Sequence, residues 1–178
     1  MGTTHKPKRG SMAFSPRKRA RRHFGRVKSW PDTDSKEVRV QGFAGWKAGM
    51  THVLLLDTNP GSPSSGQEVR KAVTVVEVPP LRVLGVRGYR MTVYGMQTSG
   101  EAWADSEKLS ESIPELSRRV PKRFEHDSEA HHAALSEKAG SGGLCEVRLL
   151  VATQPHTMNS TSSKTPELME MGLTGGDL

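Results

Sequence analysis

Half of the strongly apolar side chains in this 178-residue chain stand in one stretch. Leu, Ile, Val and Phe total 34, of which 17 lie between Val38 and Val93 and five more between Leu144 and Val151. That total is about a fifth of the chain, the level near which a highly charged chain stays disordered. A hydrophobic core is therefore expected in those two stretches and hardly elsewhere. The length suits one domain, or one domain with a modest insertion. No apolar run exceeds a handful of residues, Val53 to Leu56 and Leu149 to Ala152 being the longest, so no membrane span is expected. The N-terminus is basic with no apolar stretch behind it, which does not read as a secretory signal. Cys145 stands alone, which excludes an internal disulfide framework and suits a reducing compartment.

Charge is distributed as unevenly as apolar surface. The net charge is +7, but residues 1–28 carry ten basic groups and no carboxylate. They are Lys6, Lys8, Arg9, Arg17, Lys18, Arg19, Arg21, Arg22, Arg26 and Lys28. The rest of the chain is weakly acidic, so a near-neutral body carries a strongly cationic arm. Like charges at this density repel, and the arm has little apolar surface to offset the entropy of folding. Pro7, Gly10, Pro16 and Gly25 interrupt any long helix. An extended segment that needs an anionic partner is the reading. Phe14, His23, Phe24 and Trp30 are interleaved with the cations. Arg forks onto phosphate and stacks on bases, and aromatic rings stack on unpaired bases. The pattern suits RNA better than a membrane, which would require an apolar helical face. A mitochondrial transit peptide is also Arg-rich and acid-poor, but the Pro and Gly residues oppose its amphipathic helix. Trp30 has a second reading, as a hinge anchor packed against the body.

Along the body, Ser29 to Lys36 forms a polar hinge. Val38 to Met50 reads as a short strand entering a turn punctuated by Gly42, Gly45 and Gly49. Thr51–Leu56, Val69–Val78, Leu81–Tyr89 and Leu144–Thr153 read as strands of a small antiparallel β-unit. After Gly95 the composition shifts to Glu, Ser, Ala and Lys. Glu101 to Leu116 and Phe124 to Ala139 are expected to be helical, the second being the better helix. Everything from Gln154 onward reads as polar and irregular. The organisation expected is 1–36 arm and hinge, 37–95 first β-part, 96–143 helical and acidic insertion, and 144–178 returning strand and irregular tail.

No constellation announces catalysis. Gly61-x₄-Gly66 has the glycine spacing of a phosphate loop, but Gln67 stands where the lysine would be. Gly42/Gly45 and Gly85/Gly88 read as turns rather than RNA-clamping loops of the KH type. His126, His131 and His132 beside Asp127 and Glu129 lack the spacing and thiolates of a metal site, and a solvated helix face is expected. Cys145 reads as a small core residue in an apolar strand. No catalytic residue, metal or cofactor is assigned. Arg118, Arg119, Lys122 and Arg123 form a second basic knot, either balancing the acidic insertion or meeting phosphate.

Arg9-Gly-Ser-Met-Ala-Phe14-Ser-Pro-Arg-Lys-Arg19 and Gly25-Arg-Val-Lys-Ser-Trp-Pro31 closely resemble the N-terminal extension of the universal ribosomal protein L-three family in its archaeal and eukaryotic form. Gly42-Phe-Ala-Gly-Trp-Lys-Ala-Gly-Met-Thr-His52 is similar to its signature loop. Val73–Pro80, Val83–Tyr89, Leu149–Gln154 and Lys164–Glu170 match later segments, and the resemblance is weakest across 97–143. It implies a mainly β fold with an α+β insertion: a translation-protein-type β-barrel, incomplete in this chain, plus the extended basic arm. It also implies a structural constituent of the large ribosomal subunit, cytoplasmic, binding large-subunit rRNA and supporting assembly near the peptidyl-transferase region. Carried over by position, Arg9, Phe14, Arg17, Lys18, Arg19, Arg21, Arg22, Arg26 and Lys28 thread between RNA helices, and Lys47 meets a further phosphate. Neighbouring large-subunit proteins are the implied protein partners, with no membrane and no small-molecule substrate. The compact insertion and few lysines look archaeal. The family chain continues for about as much again, with further barrel strands and a long basic loop, so this chain reads as a fragment or split gene product. A second polypeptide supplying the other half is then a further partner. The alternative is a non-ribosomal RNA- or DNA-binding accessory protein using the same arm.

Overall fold

The structure is a computed structural model that describes residues 11–14, 16, 18, 21–31, 35–105, 109, 113, 115–119, 127–159 and 161–176. The chain divides into two units, residues 1–30 and residues 31–178. Among the described residues the first unit holds a single short 3₁₀ turn, Met12–Phe14.

The second unit is mainly antiparallel β. Its strands are β1 (Arg39–Gln41), β2 (Trp46–Leu56), β3 (Glu68–Glu77), β4 (Arg82–Thr92), β5 (Gly95–Trp103), β6 (Glu146–Ala152) and β7 (Leu168–Thr174). Five of them form one sheet in the order β1-β7-β6-β4-β5, while β2 and β3 pair with each other as a separate two-stranded ribbon. Among the described residues neither sheet closes into a barrel.

The Val- and Leu-rich runs form strands where expected, because β-branched side chains suit a pleated surface. β2 and β3 are joined by the Gly61-x₄-Gly66 loop, whose neck is tied by Asp57 and Gln67: Asp57 N–H donates to the Gln67 carbonyl (3.0 Å) and Gly66 N–H to the Asp57 carbonyl (2.8 Å). The Asp57 carboxylate accepts from the Ser64 hydroxyl at 2.7 Å and from Asn59 N–H at 3.1 Å. The hydroxyls of Ser62 and Ser64 and the Asn59 N–H lower its pKa to about 2. A loop organised around a carboxylate repels phosphate, so it serves as a turn.

The core is only partly where apolar density places it: Leu84, Leu144, Leu150 and Val151 are buried in the expected stretches, but other segments complete it. Leu84, Leu150 and Ala152 of the five-stranded sheet are buried under Leu109, Ile113 and Leu116, with Trp103, Ala104 and Leu168 against them. Those three covering residues come from the segment read as weakly apolar. Their i, i+4, i+7 spacing places them on one helical face. Leu109 N–H donates to the Asp105 carbonyl (3.1 Å) and Ile113 N–H to that of Leu109 (3.0 Å). The densest apolar stretch is instead left open: Leu54, Leu55, Leu56, Val75, Val76 and Val78 on or beside the ribbon are exposed.

Two strands escaped the sequence reading. β5 occupies residues assigned to the insertion, and Glu101 and Trp103, expected to be helical, pair with Arg87 and Gly85 of β4. The reason is local: Gly95, at φ +103°, turns the chain back on itself directly after β4. β7 lies in the tail read as irregular and pairs with both β6 and β1. Its apolar members are mostly Met and Leu, interrupted by Glu170. Gly85 and Gly88 are not turn residues but sit inside β4. A Cβ on Gly85 would collide with the Ala102 carbonyl oxygen and stand 2.8 Å from Trp103 Cα; one on Gly88 would stand 2.9 Å from Leu144. They permit close approach of β5 and of the layer beyond.

That layer includes the one described α-helix, α1 (Ser128–Gly140), capped by Asp127, whose carboxylate accepts from the N–H groups of Glu129 and Ala130. Leu135 rests over Gly88 and Gly100, and Lys138 Nζ donates to the Ser99 carbonyl at 2.8 Å, tying α1 to β5. His131 and His132 are exposed on this helix, and His126 lies outside the described residues. Cys145 is exposed, not a core residue. It precedes β6, and its thiol donates to the Tyr89 carbonyl at 3.3 Å.

Candidate nucleic-acid interface

In the arm, Phe14 N–H donates to the Ser11 carbonyl at 3.2 Å, closing the turn that carries the Phe14 ring. That ring is 80% exposed. Lys18, Arg21, Arg22, Arg26 and Lys28 are all exposed. None of them is in a salt bridge among the described residues. Lys6, Lys8, Arg9, Arg17 and Arg19 lie outside the described residues. Trp30 is half-buried, and its indole N–H is closed off from solvent with no acceptor among the described residues. It is thus less suited to stacking than Phe14.

Lys47 lies in β2 rather than on the glycine loop, opposite Val76 and next to a register shift at Gly49. Its side chain is exposed. Gly42, at φ +84°, takes the chain out of β1, and a Cβ on Gly45 would stand 2.6 Å from Val76 Cγ1. The loop's glycines therefore let β2 start close against β3, and Lys47 is presented from the resulting ribbon.

The second basic knot is partly neutralised. Arg118 Nε lies 2.6 Å from Glu115, and Arg119 Nη2 lies 2.5 Å from Glu167, with Arg119 Nε also donating to the Pro166 carbonyl at 3.2 Å. Arg119 therefore ties its segment to the start of β7. Lys122 and Arg123 lie outside the described residues.

Two further arginines are used up inside the sheet. Arg87 on β4 bridges Glu101 of β5, at 2.7 Å, and Glu170 of β7. Tyr89 donates its hydroxyl to Glu170 at 2.7 Å, and Trp103 Nε1 donates to Glu101 at 3.0 Å. Arg148 on β6 pairs with Glu146 at 2.6 Å, reaches Glu170 at 3.4 Å and lies 4.4 Å from the Tyr89 ring centroid. Burial pushes the Glu170 carboxyl upward, but the Tyr89 hydroxyl and the two guanidinium groups outweigh it and hold the carboxyl below its ordinary value. This satisfied cluster crosses four strands and belongs to the architecture. Beyond the arm, the exposed cations in no salt bridge among the described residues include Lys36, Lys71, Lys164, Lys47, and Arg82 and Arg90 of β4. The last two went unmarked by the sequence reading, although no carboxylate stands between Val78 and Gly100.

The whole chain, residues 1–178, matches the family described as Ribosomal protein L3. It belongs to the ribosomal protein L3 family. Relatives named large ribosomal subunit protein uL3 are similar throughout. The Methanosphaerula palustris protein is 40% identical over 178 residues, covering 100% of this chain and 51% of the relative. The Archaeoglobus fulgidus protein is 43% identical over 171 residues, 96% of this chain and 48% of the relative. The Methanoregula boonei protein is 41% identical over 178 residues, 100% and 51%. The chain thus spans about half the length of the curated relatives it matches. All three sources are archaea, in agreement with the archaeal form of the L3 resemblance.

Proposed function

We propose that this chain is an architectural, non-catalytic component of the large ribosomal subunit in the cytoplasm, binding large-subunit rRNA through its arm and through Lys47. The observation that carries the reading is the set of five described arm cations, all exposed and none in a salt bridge among the described residues. Unopposed Arg and Lys release counterions when they meet phosphates, which supplies affinity without any base contact. Phe14 adds an exposed ring for stacking. The names of the archaeal relatives support the same location. The remaining strands of a translation-protein-type barrel would come from the half of the relatives' length that this chain does not span, on the same or a second polypeptide. The open faces of the β2–β3 ribbon support that, since an isolated two-stranded ribbon is marginal in water. Neighbouring large-subunit proteins complete the set of partners. Cosedimentation with large subunits through a high-salt wash tests the reading. Retention is expected; release, with binding to unrelated RNA or DNA of equal strength, would favour a non-ribosomal accessory protein.

A further inference from the structure

We propose that the tip of the β4–β5 hairpin is a separate RNA contact, with Tyr94 stacking on an unpaired base and Arg90 meeting a neighbouring phosphate. This inference rests on the rRNA-binding reading but assigns a site away from the arm and the glycine loop. The hairpin outruns its sheet: β4 pairs with β6 only as far as Tyr89 opposite Glu146, yet pairs with β5 as far as Thr92 opposite Gly95. Residues 90–97 thus project as a two-stranded finger. At its end Val93 is 99% and Tyr94 93% exposed.

The finger is shaped in advance. The Thr92 hydroxyl donates to the Gly95 carbonyl at 2.7 Å across the two-residue turn. Met91 faces Met96 and Arg90 faces Gln97 in the register, so thioethers line one face and the cation and amide the other. A ring held open to water on a tied turn loses little freedom on stacking, and Met side chains are suited to wedge beside it.

Charge selects the partner. Between Val78 and Gly100 there are three arginines and no carboxylate. Arg87 is taken by Glu101 and Glu170, whereas Arg82 and Arg90 are exposed and in no salt bridge among the described residues. An acid-free cationic finger with an aromatic tip complements a polyanion with exposed bases.

The test is binding of the full chain to deproteinised large-subunit rRNA over a salt series. Tyr94→Ala should weaken binding about five- to a hundredfold with an unchanged salt slope, and Tyr94→Phe should restore it. Arg90→Gln should lower the slope by about 0.7–0.9. The thermal midpoint of Tyr94→Ala should equal that of the parent, which separates an RNA-facing role from a structural one. A benzophenone photocrosslinker at position 94, in assembled large subunits, should label RNA. Unchanged affinity of Tyr94→Ala, while arm deletion still weakens binding, overturns the hairpin site and leaves the arm reading standing. A crosslink to protein alone overturns it too. Failure of the parent chain to bind rRNA overturns both.

Discussion

Glu170 of β7 is electrically joined to two other strands, accepting from Tyr89 and facing Arg87 on β4 and Arg148 on β6, with β5 reached through the Arg87–Glu101 pair. Its carboxyl is held below the ordinary 4.5, so its contribution is complete above that value and is lost as pH falls through the lower folded value. Arg87 and Arg148 are both held above their ordinary value and stay charged across this range. Glu170→Gln should therefore cost about 2–3 kcal/mol at neutral pH by leaving the half-buried Arg87 and the buried Arg148 underpaired. It should also shrink the loss of stability on acidification, which denaturant titrations at pH 7 and pH 3.5 would read. In the arm, Phe14→Ala should weaken rRNA binding with little change in salt slope, because stacking releases no counterions. Trp30→Ala should instead lower the unfolding midpoint, in keeping with its half-buried indole. The cations of the arm were legible because unopposed charge is a matter of composition. The Glu170 cluster was not: its members lie up to 83 residues apart and meet only through strand register.

The elements were legible wherever β-branched residues crowd, and obscure wherever a strand is built from other material. β2, β3, β4 and β6 announce themselves through Val and Leu. β5 is disguised by Gly, Ser, Thr and Glu, and its strand character comes from pairing with β4 rather than from propensity. β7 is disguised by its methionines and by a glutamate turned into the charged cluster. The glycines of β4 carry a requirement that propensity conceals. Gly85→Ala would drive a Cβ into the β5 backbone and should cost more than Gly88→Ala, whose new methyl meets only movable leucine tips. About 1–3 kcal/mol is expected for Gly88→Ala, and for Gly85→Ala faster amide exchange throughout β5. The arm, as an element, is defined by charge. Deleting residues 1–28 should flatten the dependence of log K on log salt by about 0.7–0.9 for each phosphate that the arm neutralises. An unchanged slope would move the main RNA surface to the body.

For the molecule as a whole, apolar density and burial part company. Of the expected core stretch Val38 to Val93, the part up to Val78 is mostly surface while Leu84 is buried, and three residues of a polar-looking segment complete the only cluster of buried apolar residues among those described. Density marks what must be covered; it does not say by what. Studied alone in low salt, the chain should be poorly soluble or loosely folded, with its ribbon an aggregation template. Hydrogen exchange should find β2 and β3 weakly protected and β4 and β6 strongly protected; equal protection in all four would mean that the ribbon is covered within this chain. The strand order also sets a timetable. Among the described residues β1 pairs only with β7, Arg39 opposite Thr174, so its partner lies about 130 residues downstream. At about 5–20 residues per second of synthesis, Arg39–Gln41 would wait roughly 7–26 s for that partner to be made. The earliest of the described strands is therefore the last of them to be fastened, and a nascent chain stalled before Leu168 would leave it open to protease while the β4–β5 hairpin is already closed.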